Sequence, residues 1–498
     1  MTCCFPQPIF SLPYNFFSFL QKHFSLLDMN TKSKHRIITV TLSLLTLLST
    51  TTSCRPRAAA ETDEPFIKVE HGQFYRHGKP YYFIGTNFWY GAILGSEGRG
   101  GNRARLAEEL DCLKSMGIDN LRVLVGAEGR NGVTSKIEPT LQESPGIYND
   151  TIFDGLDYLL SEMGKREMTA VLYLTNSWEW TGGWCVYLEW AGEGEAPLPA
   201  VVGWTNYQAQ VSKFVRNDSA KAMFSRHVEK VLTRTNKYTG RKYTDDPAIM
   251  AWQLCNEPRP FGEQSKEAFA EWVSATARQI KTLDPNHLVS IGSEGKWGCD
   301  GDTPLCERVH TDPNIDYLTF HLWPLNWSWI SKETVQDSLE NAKREAEAYI
   351  DLHINMARRL EKPAVMEEFG YPRDGFLFSK NSPHTARDDF YQFIFDKVVA
   401  SAEKGDVFAG CNFWGWGGFA NPTHENWQRG DDYSGDPAQE QQGLNSVFAS
   451  DSSTISVISS ACRKTVEAAS EKKNKGTLLS LSRVASAEKR SSKDVFRR

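Results

Sequence analysis

The stretch AVMEEFG, residues 364–370, closes a short apolar run with two adjacent carboxylates and a Phe-Gly pair. A short apolar run of this kind is consistent with a buried β-strand. Adjacent side chains on a strand point to opposite faces. The pattern therefore predicts that only one of Glu367 and Glu368 faces the functional end of the strand, and by itself it leaves open which one.

Seven similar runs are distributed along the chain. They are YYFIGTNFW (81–89), NLRVLVG (120–126), TAVLYLTN (169–176), IMAWQLCNE (249–257), HLVSIGSEG (287–295), DYLTFHLWP (316–324) and GCNFWGWGG (410–418). Helical patterns lie between them, over 103–117, 151–167, 267–284, 337–361 and 385–405. Strands that alternate with helices pair in parallel, and eight such units over roughly 400 residues predict an α/β fold, the (β/α)8 TIM barrel. A doubly wound sheet is less consistent, because no GxGxxG motif follows an early strand.

The composition is that of a soluble globular protein. The chain has 498 residues, of which 40% are hydrophobic and 24% charged, with a formal net charge of −6. No basic surface dominates, so we expect no nucleic-acid partner. No CxxC pair or His-rich spacing suggests zinc, and we expect neither a metal nor a cofactor. We also expect a monomer.

The two ends of the chain predict targeting and tail segments. Residues 1–28 are interpreted as an upstream extension, because Met29 begins a secretory-type signal over 29–54 with a basic flank and an apolar run. Cys54 resembles a lipoprotein attachment site, which would anchor the protein to a membrane, and ordinary cleavage after Ala60 is the alternative. Residues 55–64 would be a linker, 65–468 the barrel and 469–498 a basic, disordered tail. A secreted or cell-surface location follows.

Seven of the ten cysteines follow Cys54, an odd number that cannot be fully paired. Cys299 and Cys306 bracket a short loop that could close a small disulfide. Cys255 and Cys411 lie within apolar strand patterns and are expected to be buried thiols.

The active site of such a barrel lies at the carboxyl ends of its strands. Glu257 ends the fourth predicted strand, and Glu367 and Glu368 end the seventh, while Arg122, Glu294 and His321 lie on or near the ends of other strands. A single glutamate at such a position is more often a helix cap or a surface charge. Two carboxylates that face each other across a barrel mouth are what glycoside hydrolysis requires, one to protonate the leaving oxygen and one to attack or to activate water.

The strand ends resemble a known family. WQLCNEP (252–258) and EFG (368–370) are similar to the two signature strands of glycoside hydrolase family 5, and more narrowly of its endo-β-1,4-mannanases. The resemblance covers nearly all of 65–463 and includes GTNFWYG (85–91), NLRV (120–123), NEPR (256–259), FHLWP (320–324) and NFWGWGG (412–418).

This resemblance implies a retaining mechanism without a cofactor. Glu257 would be the general acid/base and Glu368 the nucleophile, since the attacking glutamate of the family directly precedes the aromatic-Gly pair. Their carboxyl groups should lie about 5–5.5 Å apart. The acid needs a raised pKa and the nucleophile a lowered pKa, for which Arg122 would supply a fixed positive charge. Glu367 would face the other way, toward a helix or a neighbouring loop.

The resemblance also implies which residues bind the sugar. Asn256 would bond to the 2-hydroxyl of the cleaved unit, and Arg259 would reach the sugar on the leaving side. His321 would orient or protonate groups in the network of the acid.

Aromatic side chains would bind the sugar rings. Trp414 would be the platform under the cleaved sugar and Trp89 a second wall. Trp323 stands where family members often carry a tyrosine whose hydroxyl bonds to the nucleophile, and an indole N–H donates from a different point. Outer subsites and loop anchoring are both open as roles for Trp178, Trp180, Trp184, Trp327 and Trp329.

The leading functional hypothesis is an endo-acting β-1,4-mannanase that hydrolyses mannan, glucomannan or galactomannan. Another β-glycanase of the same family, such as a cellulase, is the alternative within this class. A surface glycan-binding lipoprotein with an inactive barrel is the alternative from a different class, and the presence of both glutamates argues against it.

Overall fold

The computed structural model describes residues 65–470. The predicted extension, the signal segment with Cys54, the linker and the chain beyond 470 lie outside these residues. Within the described part of the chain, no helix is long and apolar enough to span a bilayer.

Eight parallel strands form the predicted barrel. In chain order they are β1 (Phe83–Asn87), β2 (Asn120–Leu124), β3 (Thr169–Tyr173), β4 (Ile249–Gln253), β5 (Leu288–Ser290), β6 (Leu318–Leu322), β7 (Ala364–Phe369) and β8 (Phe408–Phe413). Their hydrogen-bonded order follows the chain, with β1 next to β8. Between β5 and β6 the barrel closes through the Asp316 amide, which donates to Val289 O (2.8 Å), and the Ser293 amide, which donates to Thr319 Oγ1 (2.8 Å). The eight predicted strands and their order are confirmed.

Helices follow the strands around the outside. They are α1 (Arg103–Met116), α2 (Asp150–Lys165), α3 (Asp218–Leu232), α4 (Lys266–Leu283), α5 (Thr303–Thr311), α6 (Leu339–Leu360), α7 (Thr385–Lys404) and α8 (452–470). The five predicted helices agree with α1, α2, α4, α6 and α7 to within two residues at each end. Residues 469 and 470, which the sequence assigns to the tail, lie in α8, and the rest of the predicted tail is outside the described residues. Three short helices, Gly183–Trp190, Pro199–Val202 and Trp204–Val211, lie in the long connection between β3 and α3.

Helix α1 shows how the local sequence sets these elements. Asn102 caps its start by accepting a hydrogen bond from the Arg105 amide (3.0 Å). Leu106, Leu110 and Leu113 recur on one face and are fully buried. Gly117 ends the helix with φ of 91°, a left-handed conformation that glycine adopts without strain.

The amino-terminal end of the barrel is closed by a small antiparallel sheet. Its strands are Lys68–Glu70, Gln73–Arg76 and Lys79–Pro80. Phe74 is fully buried and packs edge-on against Tyr317, with ring centroids 5.3 Å apart. This end is therefore filled with apolar side chains, which leaves the opposite end, at the carboxyl ends of the strands, for a site.

Strand β7 departs from the predicted alternation. Met366 pairs with Phe320 of β6, but the next pair along the strand is Glu368 with His321, so Glu367 is an extra residue in a β-bulge. A bulge changes which face the following side chain points to. The prediction that Glu367 faces a helix or loop is therefore wrong, and both glutamates reach the inside of the barrel.

The Cys299–Cys306 disulfide is absent from the described structure, where both residues are free thiols. The segment between them is the start of a helix, because Asp302 caps α5 by accepting from the Leu305 amide (3.0 Å). Cys306 lies in α5 with its Sγ 3.8 Å from His310 Nδ1. Cys255 and Cys411 are buried free thiols, as predicted.

Candidate active site

Two glutamates meet at the carboxyl ends of β4 and β7. Oε1 of Glu257 lies 2.7 Å from His321 Nδ1, and Oε2 of Glu368 lies 3.4 Å from the same nitrogen. One carboxylate oxygen of Glu257, one of Glu368 and a ring nitrogen of His321 all lie within 4.8 Å of one another. An inverting glycosidase needs about 6.5–9.5 Å between its carboxyl groups to admit a water molecule, so this spacing suits direct attack by one carboxylate.

The backbone at Glu257 is unusual. Its φ of 48° is in the left-handed region, which is uncommon for a residue with a side chain. The Glu257 amide donates to Gly292 O (2.8 Å), and the Asn256 amide donates to Thr175 O (2.8 Å). The loop after β4 is thus held between the ends of β3 and β5, and in this conformation the Glu257 carboxylate reaches His321 of β6.

The charge state of Glu257 differs from the prediction. Burial raises its pKa, but the hydrogen bond and charge of His321, with further help from Arg259 and the Trp178 indole, outweigh burial and hold the pKa below its usual value. Burial would lower the pKa of His321, yet the charge of Glu368 and the hydrogen bond to Glu257 raise it to about 9. In the free site the proton therefore resides on His321, 2.7 Å from the carboxylate that the family would use as the acid.

Arg122 organises the floor of the site. It is fully buried, and its Nη1 donates to Glu368 Oε1 (2.5 Å). Its Nε donates to Gln253 Oε1 (2.7 Å) and its Nη2 to Asn256 Oδ1 (2.7 Å). Because the guanidinium bonds are made in fixed directions, one side chain orients the nucleophile candidate and the asparagine together. The Asn256 oxygen is occupied and its Nδ2 donates one hydrogen to Asn176 Oδ1 (3.1 Å), so the second amide hydrogen is the part left to meet a sugar hydroxyl.

Glu367 lies below Glu368 and shares Arg122 with it. Its Oε2 is 3.9 Å from Arg122 Nε, and Gln253 Nε2 donates to both of its oxygens at 2.6 and 2.7 Å. The Tyr317 hydroxyl donates to Oε1 (3.2 Å). Burial raises the pKa of Glu367, while Arg122 opposes the shift. Glu367 is therefore a supporting carboxylate inside the barrel.

Above these residues lies a cavity of about 700 Å³. Its lining side chains are Glu368 of β7 and residues of the loops that follow β3, β4, β5, β6 and β8, among them Glu257. On the side of β4 and β5, Arg259 Nη2 donates to Glu294 Oε1 (2.5 Å), and the guanidinium of Arg259 stacks 5.3 Å from the Trp178 ring. Burial raises the pKa of Glu294 to about 7.

A family model described as GH family 5 beta-mannosidase-like matches residues 64–470. The chain belongs to glycoside hydrolase family 5. It is similar to a putative mannan endo-1,4-beta-mannosidase 9 of Oryza sativa subsp. japonica, with 30% identity over 80% of this chain and 93% of the rice protein. Mannan endo-1,4-beta-mannosidase 7 of Arabidopsis thaliana is 29% identical over 80% of this chain and 85% of that protein. A family 5 mannosidase of Rhizomucor miehei, known from a crystal structure, is 33% identical, with a TM-score of 0.75 over 82% of this chain and 99% of that one.

The tryptophans of this family 5 barrel divide into two groups. Trp414, Trp323, Trp178, Trp180 and Trp327 line the cavity, together with Trp204 and Trp297. Trp414 and Trp323 lie edge to face with centroids 6.0 Å apart, so they form one corner of the sugar site. Trp184 is instead fully buried and stacks on Phe214 at 4.5 Å, which makes it a core residue.

Trp89 does not form the predicted second wall. It is 1% exposed, and its Nε1 donates to Gly435 O (2.9 Å). Its ring packs against Trp180 (5.5 Å) and Tyr433 (5.1 Å). The residues that cover it belong to loops whose course only the folded chain determines, so Trp89 supports the site from beneath.

Two cavity residues had no signal in the sequence. Gln439 and Glu440 belong to the β8 loop, residues 419–446, and both line the cavity. Their oxygens Gln439 Oε1 and Glu440 Oε2 are buried and lack a hydrogen-bond partner among the described residues. In the sequence they are two polar residues in a long polar connection, which resembles any exposed loop.

Proposed function

We propose that this family 5 enzyme is a retaining β-1,4-mannanase that cleaves internal bonds of mannan, glucomannan or galactomannan. The observation that carries the proposal is the pair Glu257 and Glu368, which converge on His321 within 4.8 Å beneath a tryptophan-lined cavity. The mannanase names of the rice and Arabidopsis relatives support the choice of substrate.

In the proposed reaction Glu368 attacks the anomeric carbon while Glu257 protonates the leaving oxygen, which gives a glycosyl ester on Glu368 and a leaving saccharide with a new hydroxyl group. Glu257 then removes a proton from water, and the resulting attack releases the ester with overall retention. The proton of the first step is held along the His321 Nδ1–Glu257 Oε1 hydrogen bond. Arg122 stabilises the carboxylate of Glu368 before attack and after its release.

Binding groups surround this centre on two sides. Asn256 donates to the 2-hydroxyl of the cleaved sugar, and Trp414 packs on the apolar face of its ring. Arg259, held by Glu294, meets the sugar on the leaving side. Trp297 and Trp327, with centroids 6.2 Å apart, extend that side with flat apolar surfaces. No cofactor takes part in this scheme.

Product analysis tests the proposal. Incubation with galactomannan should lower viscosity faster than it releases reducing ends, and mannohexaose should yield mannobiose and mannotriose. Carboxymethylcellulose should be a poor substrate, and preference for it would favour the cellulase alternative. Activity on neither polymer would overturn the enzyme proposal in favour of a glycan-binding role.

Cleavage of single mannose units from chain ends is a second candidate, favoured by one observation. The side of the mouth at β1 is filled by the packed rings of Trp89, which follows β1, Trp180, which follows β3, and Tyr433 of the β8 loop. Glu257 and Arg259 lie on the side of β4 and β5, where the leaving part of the substrate binds. The packed rings therefore occupy the opposite side, where a polysaccharide chain would extend beyond the sugar that is transferred to Glu368. Release of mannose alone from mannohexaose would select this mode.

We propose that the protein acts as a monomer outside the cell or on its surface. The signal-like segment 29–54 supports secretion, with either a lipidated Cys54 or cleavage after Ala60. The mass and the amino-terminal sequence of the mature protein distinguish these outcomes, and an intact chain starting at Met1 would overturn both.

A further inference from the structure

The β8 loop is a built part of the active site rather than a loose connection. Asp436 is fully buried and accepts hydrogen bonds from the amides of Gly443 (2.8 Å), Asn445 (2.8 Å) and Ser446 (3.1 Å). Arg387, also fully buried, donates to Ser446 O (2.9 Å) and Leu444 O (2.7 Å). These bonds tie the carboxyl-terminal half of the loop to the barrel.

The turn that carries Gln439 and Glu440 is fixed from within. The Gln442 side chain donates to the carbonyl oxygens of Asp436 (3.1 Å), Pro437 (3.1 Å) and Glu440 (3.2 Å). The Glu440 amide donates to Pro437 O (3.0 Å). With its backbone held in this way, the turn presents its side chains to the cavity without a large cost in conformational entropy.

Two buried oxygens on this turn have no partner in the described structure. Gln439 Oε1 and Glu440 Oε2 are enclosed, yet the cavity that they line is open to a ligand. A buried polar atom without a hydrogen bond is costly, so native proteins rarely keep one without a reason. A ligand rich in hydroxyl groups would supply the missing hydrogen bonds.

The start of the β8 loop places Glu440 on the side of the cavity away from the leaving group. The loop leaves the barrel beside β7, since the Trp414 amide donates to the carbonyl oxygen of Phe369 (2.8 Å), the residue after Glu368. Strand β4, which carries Glu257 at its end, lies across the barrel from β8. Glu440 therefore faces the sugar that becomes attached to Glu368. Burial raises the pKa of Glu440 to about 8, with further contributions from the charges of nearby carboxylates.

We propose that Gln439 and Glu440 bind hydroxyl groups of the sugar that is transferred to Glu368, and so determine which sugar the site accepts. The inference rests on the proposed retaining hydrolysis. Both side chains accept hydrogen bonds from the sugar, and Glu440 in its protonated form also donates one. Glu440→Gln preserves the shape of the side chain and its ability to accept and donate hydrogen bonds, whereas Glu440→Ala removes both.

The test measures two reactions of wild type, Glu440→Gln, Glu440→Ala and Gln439→Ala. The first is kcat/KM on mannohexaose. The second is the rate at which 2,4-dinitrophenyl 2-deoxy-2-fluoro-β-mannoside labels Glu368, followed by mass spectrometry. This reagent has no sugar on its leaving side, so its binding reports only on the transferred sugar. Glu425→Gln is the matched control, since Glu425 is exposed on the same loop and does not line the cavity.

Each alanine variant should lose about tenfold in both reactions, the effect of one hydrogen bond, while Tm stays within about 1 °C of wild type. Glu440→Gln should retain most of both rates, and the control should be unchanged. Labelling of Glu440→Ala at the wild-type rate would overturn the inference, even with a loss on mannohexaose, because the residue would then act on the leaving side. Failure of the wild type to be labelled at all would instead refute the retaining mechanism.

Discussion

Replacing each of the two adjacent glutamates by glutamine separates the nucleophile from its support. Glu368→Gln removes the attacking carboxylate but keeps a side chain of the same shape above Arg122. Glu367→Gln leaves the nucleophile in place and removes the charge below it. Because the bulge in β7 brings both side chains inside the barrel, both changes lie within the same network and differ only in function.

The expected magnitudes follow from the distances. Glu367 Oε2 and Arg122 Nε are 3.9 Å apart in a fully buried setting, and unit charges at this distance attract by about 4 kcal/mol at an effective dielectric constant of about 20. Loss of one partner from a buried pair costs about 3–5 kcal/mol of folding free energy. For a domain of this size that corresponds to a Tm about 5 °C lower.

The two variants should therefore differ in kcat rather than in Tm. Glu367→Gln should lower Tm by about 5 °C and kcat by no more than about tenfold, since the amide still accepts from Gln253. Glu368→Gln also removes a buried partner of Arg122, so it should lower Tm by at least as much, and it should lower kcat by at least about 10⁴-fold. Thermal unfolding by circular dichroism and initial rates on mannohexaose are the assays. Equal losses of kcat in the two variants, or full activity of Glu368→Gln, would refute the assignment.

Three further predictions concern side chains of the site and, for comparison, of the core. Trp178→Phe removes the indole hydrogen bond that lowers the pKa of Glu257. The alkaline limb of the plot of kcat/KM against pH should therefore move to higher pH. An alkaline limb at the wild-type position would contradict this role of Trp178. His321 has a folded-state pKa of about 9 against an ordinary value of 6.5, so it contributes stability below pH 6.5 that is lost as pH rises to about 9. Denaturant titrations between pH 6.5 and about 9 should show that the free energy of unfolding falls by about 3 kcal/mol in the wild type and not in His321→Asn. The same pH dependence of unfolding in both proteins would contradict this prediction. Trp184→Ala should destabilise the fold by about 3–5 kcal/mol, because its ring is buried in the core. Trp297→Ala should raise KM on mannohexaose with Tm unchanged, because its ring lines the cavity. The reverse pattern would show that the core and cavity roles of these two rings are assigned wrongly.

Local sequence was sufficient for the elements that repeat. Eight apolar runs and the helices between them follow from hydrophobic periodicity, because burial on both faces of a parallel strand requires a nearly continuous apolar stretch. Glu257 and the pair Glu367 and Glu368 followed as candidates too, since the ends of parallel strands meet at one end of a barrel, whereas the choice of Glu368 from the pair came from the family resemblance. Each of these inferences depends on contacts between neighbours in the sequence or on a general property of the fold.

The tertiary structure decided everything that depends on how distant segments meet. The bulge at Glu367 arises from the register between β6 and β7, which no pattern within AVMEEFG encodes. Trp89 and Trp414 look alike in sequence, yet Gly435 and Tyr433 bury the first, while the second lines the cavity.

The charges of the site follow the same division. The sequence by itself determined that acids and a histidine would gather at the carboxyl ends of the strands. Which of them holds the proton depends on Coulomb interactions over a few ångströms in a buried site, and only the assembled fold places Glu257 2.7 Å from His321. The same is true of Glu440, whose partners are more than 70 residues away along the chain except for Asp436. A side chain so distant in sequence becomes part of the site only because the β8 loop folds back over the mouth of the barrel.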